Sequence, residues 1–174
     1  MYASEKYNLQ ILKELCLKFL STNVNYENAF VIFNATHNFN IDDLKSTSLQ
    51  YIFQHADVCL QSKSFLSMSK ECVKLVIKAD DLACKEEIIY ENVLKWAKKR
   101  CEEKKLSVTD DHIRTVLGDL LYCIRFPLIQ RKYFTDNISE RSILTPSEII
   151  SIYHPPRMIN TNYCQSNCVH IAMV

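Results

Sequence analysis

A single glycine, Gly118, and only four prolines occur in the 174 residues of this chain. β-Hairpins and tight turns beside strands usually need glycine, because its backbone reaches positive φ without a steric cost. Helical hairpins can be joined by Asn, Ser and Asp instead, and the chain is well supplied with these residues. The shortage of glycine therefore predicts an all-α fold.

The length and charge of the chain limit the classes of protein to which it can belong. At 174 residues it is long enough for one domain with a sizeable hydrophobic core. Its 21 basic and 20 acidic residues give a formal charge of +1, and neither sign forms a long block. The densest basic run, from Lys95 to Lys105, is interrupted by Glu102 and Glu103, so we interpret it as a solvated helix face. Since binding to nucleic acid depends on a basic excess, we expect no such partner.

Hydropathy and cysteine usage favour a cytoplasmic protein. The longest uncharged stretches are shorter than the ~20 apolar residues that span a bilayer, so we expect no membrane association. Eight cysteines are present, but disulfide scaffolds belong mainly to short, loop-rich secreted chains, and we expect no cleavable leader at the start. Cys16, Cys72 and Cys101 fall on apolar helix stripes, so we predict that they are core thiols.

The first predicted helix has an unusually wide apolar face. Its main stripe, at the spacing of one helix face, consists of Leu9, Leu12, Cys16, Phe19 and Leu20. Ile11 and Leu15 widen this stripe, so we predict that the helix packs on two sides.

Two later segments show the clearest helical periodicity. A helix starting near Lys85 has its apolar residues at Ile89, Val93, Trp96, Ala97 and Cys101. A helix starting at Thr109 has them at Ile113, Val116, Leu117, Leu120, Leu121 and Ile124. Gly118 lies within this second helix, where it would cost ~1 kcal/mol relative to Ala, so we expect a neighbouring helix to approach its backbone. Trp96 is interpreted as a core residue rather than an interface anchor.

Several polar residues are placed to begin helices. Asn25, Ser69 and Thr109 are predicted N-caps. Thr145 to Glu148 combine Thr at the N-cap, Pro at the first helical position and Glu at the third, which is a capping box. We predict that this last helix ends near Tyr153 and that residues 154–174 form a disordered tail.

The sequence contains no pattern that supports catalysis. One glycine leaves no room for a phosphate-binding loop or a nucleophile elbow. His154, Cys164, Cys168 and His170 lie close together in sequence, but nothing in the pattern brings four metal ligands together. We therefore predict no catalytic, cofactor-binding or metal-binding residue, expect the protein not to be an enzyme, and identify no partner-binding residue. A small metal-dependent enzyme is the weakest hypothesis.

Short segments along most of the chain resemble one known family. Their positions are Met1–Tyr7, Glu27–Ala29, Ser64–Ser67, Asp81–Leu82, Glu86, Val93–Trp96, Val116–Gly118, Ile124–Leu128, Ile143–Thr145 and Glu148. Together they are similar to the BACK domain that follows BTB in cullin-three ubiquitin-ligase adaptors, and in particular to the BTB-BACK-PHR type. The resemblance covers roughly residues 1–153.

This resemblance implies an architecture and a function. The fold would be antiparallel helical hairpins stacked in a solenoid-like BACK domain, with residues 1–22 as the connection from BTB and residues 23–153 as the domain itself. In such adaptors BTB dimerises and binds the cullin scaffold, while PHR is available for the ubiquitylation substrate. The chain would then be a non-catalytic interaction module, and a homodimer only with a BTB domain upstream.

A second hypothesis is a stand-alone helical scaffold that binds a partner peptide in a groove between hairpins. If BTB normally covers the first helix, Leu9, Ile11 or Leu12 would be partly exposed. We would then expect the isolated chain to self-associate.

Overall fold

All regular elements of the described chain are helical. The computed structural model describes residues 10–39 and 41–153, and within these ranges it contains no strand. The predicted all-α fold class is therefore confirmed. The chain divides into two units, Met1–Cys84 and Lys85–Val174. The predicted tail at 154–174 lies outside the described residues.

The described part of the first unit contains five α-helices. They are α1 (Gln10–Thr22), α2 (Ala29–Phe39), α3 (Asp42–Gln54), α4 (Ala56–Leu60) and α5 (Lys70–Ile77), with a 3₁₀ turn at Phe65–Ser67 before α5. Helix α3 contacts α1, α2 and α4. The largest fully buried side chains of this unit are Phe30, Phe33, Ile52, Leu60, Phe65, Met68 and Ile77.

The predicted caps in this unit are present. Ser69 Oγ accepts a hydrogen bond from the Cys72 amide at 3.3 Å, so it caps α5 as predicted. Asn25 Oδ1 accepts from the amides of Glu27 and Asn28 at 3.0 and 3.1 Å. Because α2 itself begins at Ala29, Asn25 caps the turn that leads into the helix.

The second unit is built on one long helix. Its elements are α6 (Glu86–Glu103), α7 (Asp110–Leu117), 3₁₀ turns at Gly118–Cys123 and Phe126–Leu128, α8 (Arg131–Phe134) leading into a π-helical turn at Thr135–Ser139, and α9 (Pro146–Tyr153). The predicted apolar stripe of α6 is buried throughout. Trp96 is only 2% exposed, so its predicted core role is confirmed.

The prediction of one continuous helix from Thr109 through Ile124 is wrong. Thr109 does cap α7, since its Oγ1 accepts from the His112 amide, but α7 ends at Leu117. Gly118 has φ 50° and ψ −120°, a conformation that other residues adopt only at a cost. The glycine therefore ends the helix, and no crossing helix is needed to explain it. Because a 3₁₀ turn follows immediately, the apolar residues after it stay buried and the periodicity hides the break.

The cysteine predictions are confirmed in part. Cys72 and Cys101 are fully buried, whereas Cys16 is only half-buried. Cys59 is also buried, and burial, assisted by the nearby Asp57 carboxylate, raises the pKa of its thiol to about 11. A thiol with so high a pKa carries little thiolate at neutral pH and is a poor nucleophile.

Candidate protein-interaction surface

Helix α1 exposes an apolar face. Its exposed fractions are 76% for Ile11, 45% for Leu12, 60% for Leu15 and 65% for Phe19, and no residue of the helix is buried. These residues lie on neighbouring rows of one helix face, because they are spaced three and four apart. We call this set the α1 apolar face. Large apolar side chains that cluster on a surface mark interaction sites more often than isolated ones do.

The predicted orientation of α1 is wrong in one respect. Half-buried residues occupy the opposite side of the helix, at Lys13, Cys16, Leu17 and Leu20. The helix therefore packs on one side rather than two, and Phe19 is outside although its stripe was predicted to be inside. The expected exposure of Ile11 and Leu12 is confirmed, whereas Leu9 lies outside the described residues. Periodicity locates two adjacent stripes but cannot tell which one meets the rest of the unit.

A groove lies along α3 in the same unit. It has a volume of about 430 Å³, and the amide of Ala83 donates to the carbonyl of Phe53 at 3.2 Å beside it. Leu49 and Phe53, one helical turn apart and half-buried, supply its large apolar side chains. The complete lining is Ser46, Leu49, Gln50, Phe53, Gln54, Asp81 and Ala83. The sequence analysis did not identify this groove, although Leu49 and Phe53 lie off the buried stripe of α3 and could have indicated it.

A buried carboxylate at the start of α6 fixes the segment after α7. Glu86 is only 6% exposed. Its Oε1 accepts from Arg125 Nε at 2.6 Å and its Oε2 accepts from the Arg125 amide at 3.2 Å. Because both carboxylate oxygens have donors, the charge can be held in this buried position.

Two further carboxylates on α6 extend this anchor. Glu87 Oε1 accepts from the amide of Gln130 at 2.8 Å, and Glu91 Oε1 accepts from the hydroxyl of Tyr133 at 2.7 Å. The hydrogen bond from Gln130 lowers the pKa of Glu87. Burial, together with the hydrogen bond to Glu91, raises the pKa of Tyr133, so its hydroxyl stays protonated and donates. These glutamates on one face of α6 are therefore structural acceptors.

Glu148 is the centre of the second polar network. Its Oε2 accepts from Arg114 Nη1 at 2.9 Å, and its Oε1 accepts from Arg114 Nη2 at 2.9 Å and from Tyr122 Oη at 3.0 Å. Oε2 also accepts from the Thr145 amide at 2.7 Å, while Thr145 Oγ1 accepts from the Glu148 amide at 3.3 Å. The predicted capping box is therefore confirmed. Burial raises the pKa of Glu148, but these hydrogen bonds outweigh it and bring the pKa to about 2.

Asp110 makes the third ion pair of this unit. Its carboxylate accepts from the Arg141 guanidinium and, at 3.1 Å, from the amide of Ser142. The hydrogen bond from Arg141 is the largest cause of its lowered pKa. The carboxylate thus joins the first turn of α7 to the segment before α9.

The described residues hold no arrangement of metal-binding side chains. No group of three or more His, Cys, Asp or Glu side chains in residues 10–39 and 41–153 is placed to hold a metal ion. The candidate ligands His154, Cys164, Cys168 and His170 lie outside this region. Among the described helices, none is both long and apolar enough to cross a membrane.

These features define a class of protein. The ion pairs hold helices together, and the accessible features are an apolar helix face and an apolar groove, as in a helical protein-interaction domain. The family model for BACK, described as BTB And C-terminal Kelch, matches residues 29–139, and the chain belongs to this family. The resemblance found in the sequence is therefore confirmed.

Curated relatives carry the BTB/POZ name. BTB/POZ domain-containing protein 6 of Xenopus tropicalis is 31% identical over 153 residues, covering 88% of this chain and 29% of that protein. The human protein of the same name is 29% identical, over 88% of this chain and 28% of its own length. Human BTB/POZ domain-containing protein 3 is 28% identical, over 88% of this chain and 29% of its own length. The chain thus spans less than a third of the length of these relatives, and it is similar to their BACK region.

Proposed function

We propose that the chain is a non-catalytic segment of a BTB-type substrate adaptor for a cullin-RING ubiquitin ligase. The observation that carries this proposal is the BACK match over residues 29–139, together with relatives named for their BTB/POZ domains. In this role the chain would space a BTB dimer from a substrate-binding region. Its partners would be the cullin scaffold and a ubiquitylation substrate, and dimerisation would depend on BTB.

The α1 apolar face supports this proposal. The resemblance assigns residues 1–22 to the connection from BTB, and α1 is the described part of that connection. Fully burying a large apolar side chain contributes about 1.5–3 kcal/mol, so four of them offer a substantial surface to a neighbouring domain. We propose that a BTB domain covers this face and that the chain thereby extends the surface presented to the cullin.

Binding to cullin-three tests the proposal directly. The affinity of a BTB domain from one of the curated relatives would be measured alone, fused to this chain, and compared with the chain by itself. We expect the fusion to bind more tightly than BTB alone and the isolated chain to bind weakly. A fusion no tighter than BTB alone would contradict the proposal.

A matched pair of variants localises the effect. In the fusion, Leu15→Ser should remove the added affinity, because Leu15 lies in the α1 apolar face. Leu75→Ser, on the exposed side of α5 with 47% exposure, should leave it unchanged. Equal losses in both variants would point to general destabilisation instead.

The chemistry of the described residues supports a non-catalytic, cytoplasmic role. The carboxylates of Glu86, Asp110 and Glu148 are all engaged by arginines. Cys59 and Cys72 are fully buried free thiols, as expected for a protein kept in a reducing compartment. Fluorescence imaging of the tagged full-length protein would test the location.

The α3 groove favours a second candidate function, a helical scaffold that binds a partner peptide. Its apolar floor with a glutamine and aspartate rim is suited to a short segment carrying one large apolar side chain. Binding of the isolated chain to a peptide array would test this. Leu49→Lys should abolish such binding, and Thr47→Ala, in the same helix outside the groove lining, should not.

A further inference from the structure

Thr145 and Pro146 form the only Ser-Pro or Thr-Pro dipeptide in the sequence, since the other three prolines follow Phe126, His154 and Pro155. Thr145, Pro146 and Ser147 are all exposed. A residue that precedes proline is held out of the α region and favours extended backbone. Protein kinases bind their substrates in extended form, and one large class of Ser/Thr kinases selects proline directly after the acceptor.

The acceptor hydroxyl lies within the capping box of α9. Thr145 Oγ1 donates to Glu148 Oε2 at 2.9 Å and accepts from the Glu148 amide at 3.3 Å. The same carboxylate oxygen is 2.9 Å from Arg114 Nη1. Any group added to this hydroxyl must therefore replace its donated hydrogen bond and stand beside an ionised carboxylate.

Helix α9 is lightly attached to the rest of the second unit. None of its residues is buried. Tyr153 packs edge-on against Phe134, with ring centroids 5.0 Å apart, and Arg131 lies over the Tyr153 ring. An end element with few buried contacts opens locally at low cost, which would give a kinase access to Thr145.

We propose that Thr145 is the acceptor site of a proline-directed Ser/Thr kinase, and that its phosphorylation opens the capping box and loosens α9. The γ-phosphoryl group of ATP passes to Thr145 Oγ1. The bond to the ADP oxygen breaks, a new P–O bond forms, and the hydroxyl proton leaves to the base of the kinase. This inference is independent of the proposed role in a ubiquitin ligase.

Electrostatics set the direction of the effect. The phosphate brings a charge of about −1.5 to −2 next to the Glu148 carboxylate and removes the hydrogen that Oγ1 donated to it. A phosphate at a helix N-terminus is otherwise favourable, and an arginine could bind it. Here Arg114 is already engaged by both Glu148 oxygens and by the carbonyl of Ile143. It can move to the phosphate only by leaving Glu148, so the capping box is lost in either case.

The test is phosphorylation of the full folded chain by a proline-directed kinase with ATP, followed by mass-spectrometric mapping. We expect one phosphate, on Thr145. It should be absent in Thr145→Ala and in Pro146→Ala, which keeps the hydroxyl but removes the recognised proline. It should be retained in the matched control Ser147→Ala. Absence of phosphate from Thr145 in the folded chain, whether or not a peptide of residues 140–153 is modified, overturns the proposal.

Hydrogen–deuterium exchange of the phosphorylated chain tests the structural effect. Amides of α9 should exchange several-fold faster than in the unmodified chain, and faster than in Thr145→Ala, which loses the cap without adding charge. Amides in the buried part of α6 should be unchanged. Unchanged or slower exchange in α9 would overturn the loosening, and so would an equal increase in α6.

Discussion

Arg114 and Glu148, 34 residues apart in sequence, form a two-pronged ion pair in which each carboxylate oxygen accepts from a different guanidinium nitrogen at 2.9 Å. Tyr122 and Thr145 bring further donors to the same carboxylate. One side chain thus both caps α9 and fixes it to the turn after α7.

Glu148→Ala should lower the free energy of unfolding of the second unit by about 1.5–3 kcal/mol. It removes a capping partner and leaves the Arg114 guanidinium without its carboxylate. Urea denaturation followed by circular dichroism measures the change. Glu140→Ala, at an exposed position, should stay within about 0.5 kcal/mol of the parent chain. Equal effects of the two substitutions would show that the network contributes nothing.

The stability of the chain should fall in acid through Glu148. Its folded pKa of about 2 lies below the ordinary value of 4.5. The stabilisation is therefore fully present above pH 4.5 and is lost as pH falls toward 2. Urea midpoints measured between pH 6 and pH 3 should decline less steeply in Glu148→Gln than in the parent chain. The decline should not vanish, because Asp110 and Glu87 also have lowered pKa values. Identical slopes in the two proteins would contradict the assignment.

Gly118→Ala distinguishes a helix break from a helix interior. At φ 50° and ψ −120°, a Cβ atom introduces strain, so we expect a loss of about 1–3 kcal/mol. In a helix interior the same change would stabilise by ~1 kcal/mol. Thermal or urea unfolding gives the sign. Thr115→Ala, on the exposed side of α7, serves as the control and should change little. A stabilised Gly118→Ala protein would rule out the positive φ.

The isolated chain should self-associate through the α1 apolar face. Sedimentation equilibrium should give a mass that rises with concentration, because association buries side chains that are 45–76% exposed. The double variant Leu15→Ser and Phe19→Ser should reduce this dependence, whereas Leu75→Ser should not. A monomer mass in the parent chain at all concentrations would contradict the prediction.

Features encoded within a few residues could be predicted from the sequence. Ser69, Thr109 and the Thr145 capping box are confirmed because a cap depends only on its own turn. The stripe of α6 is confirmed because its helical spacing continues for five turns. The helix break at Gly118 was missed because the following 3₁₀ turn keeps the apolar residues in phase with the helix.

Features that depend on residues far apart in sequence could not be predicted. Glu86 and Arg125 are 39 residues apart, and nothing in either local pattern indicates the other. The groove beside Leu49 and Phe53 forms only when residues 81–83 return to α3. The outward orientation of Phe19 depends on which side of α1 meets α3, and that choice is made by the packing of the unit.

The near absence of glycine also affects the unfolded chain. Glycine has the largest backbone freedom of any residue and loses the most on folding, so a chain with one glycine has less conformational entropy to lose. The turns around Asn25 and Asn28 are instead held by side-chain hydrogen bonds, in which each asparagine accepts from the amide of the other. Glycine placed in these turns would therefore destabilise the protein twice, by removing these bonds and by enlarging the ensemble from which folding starts.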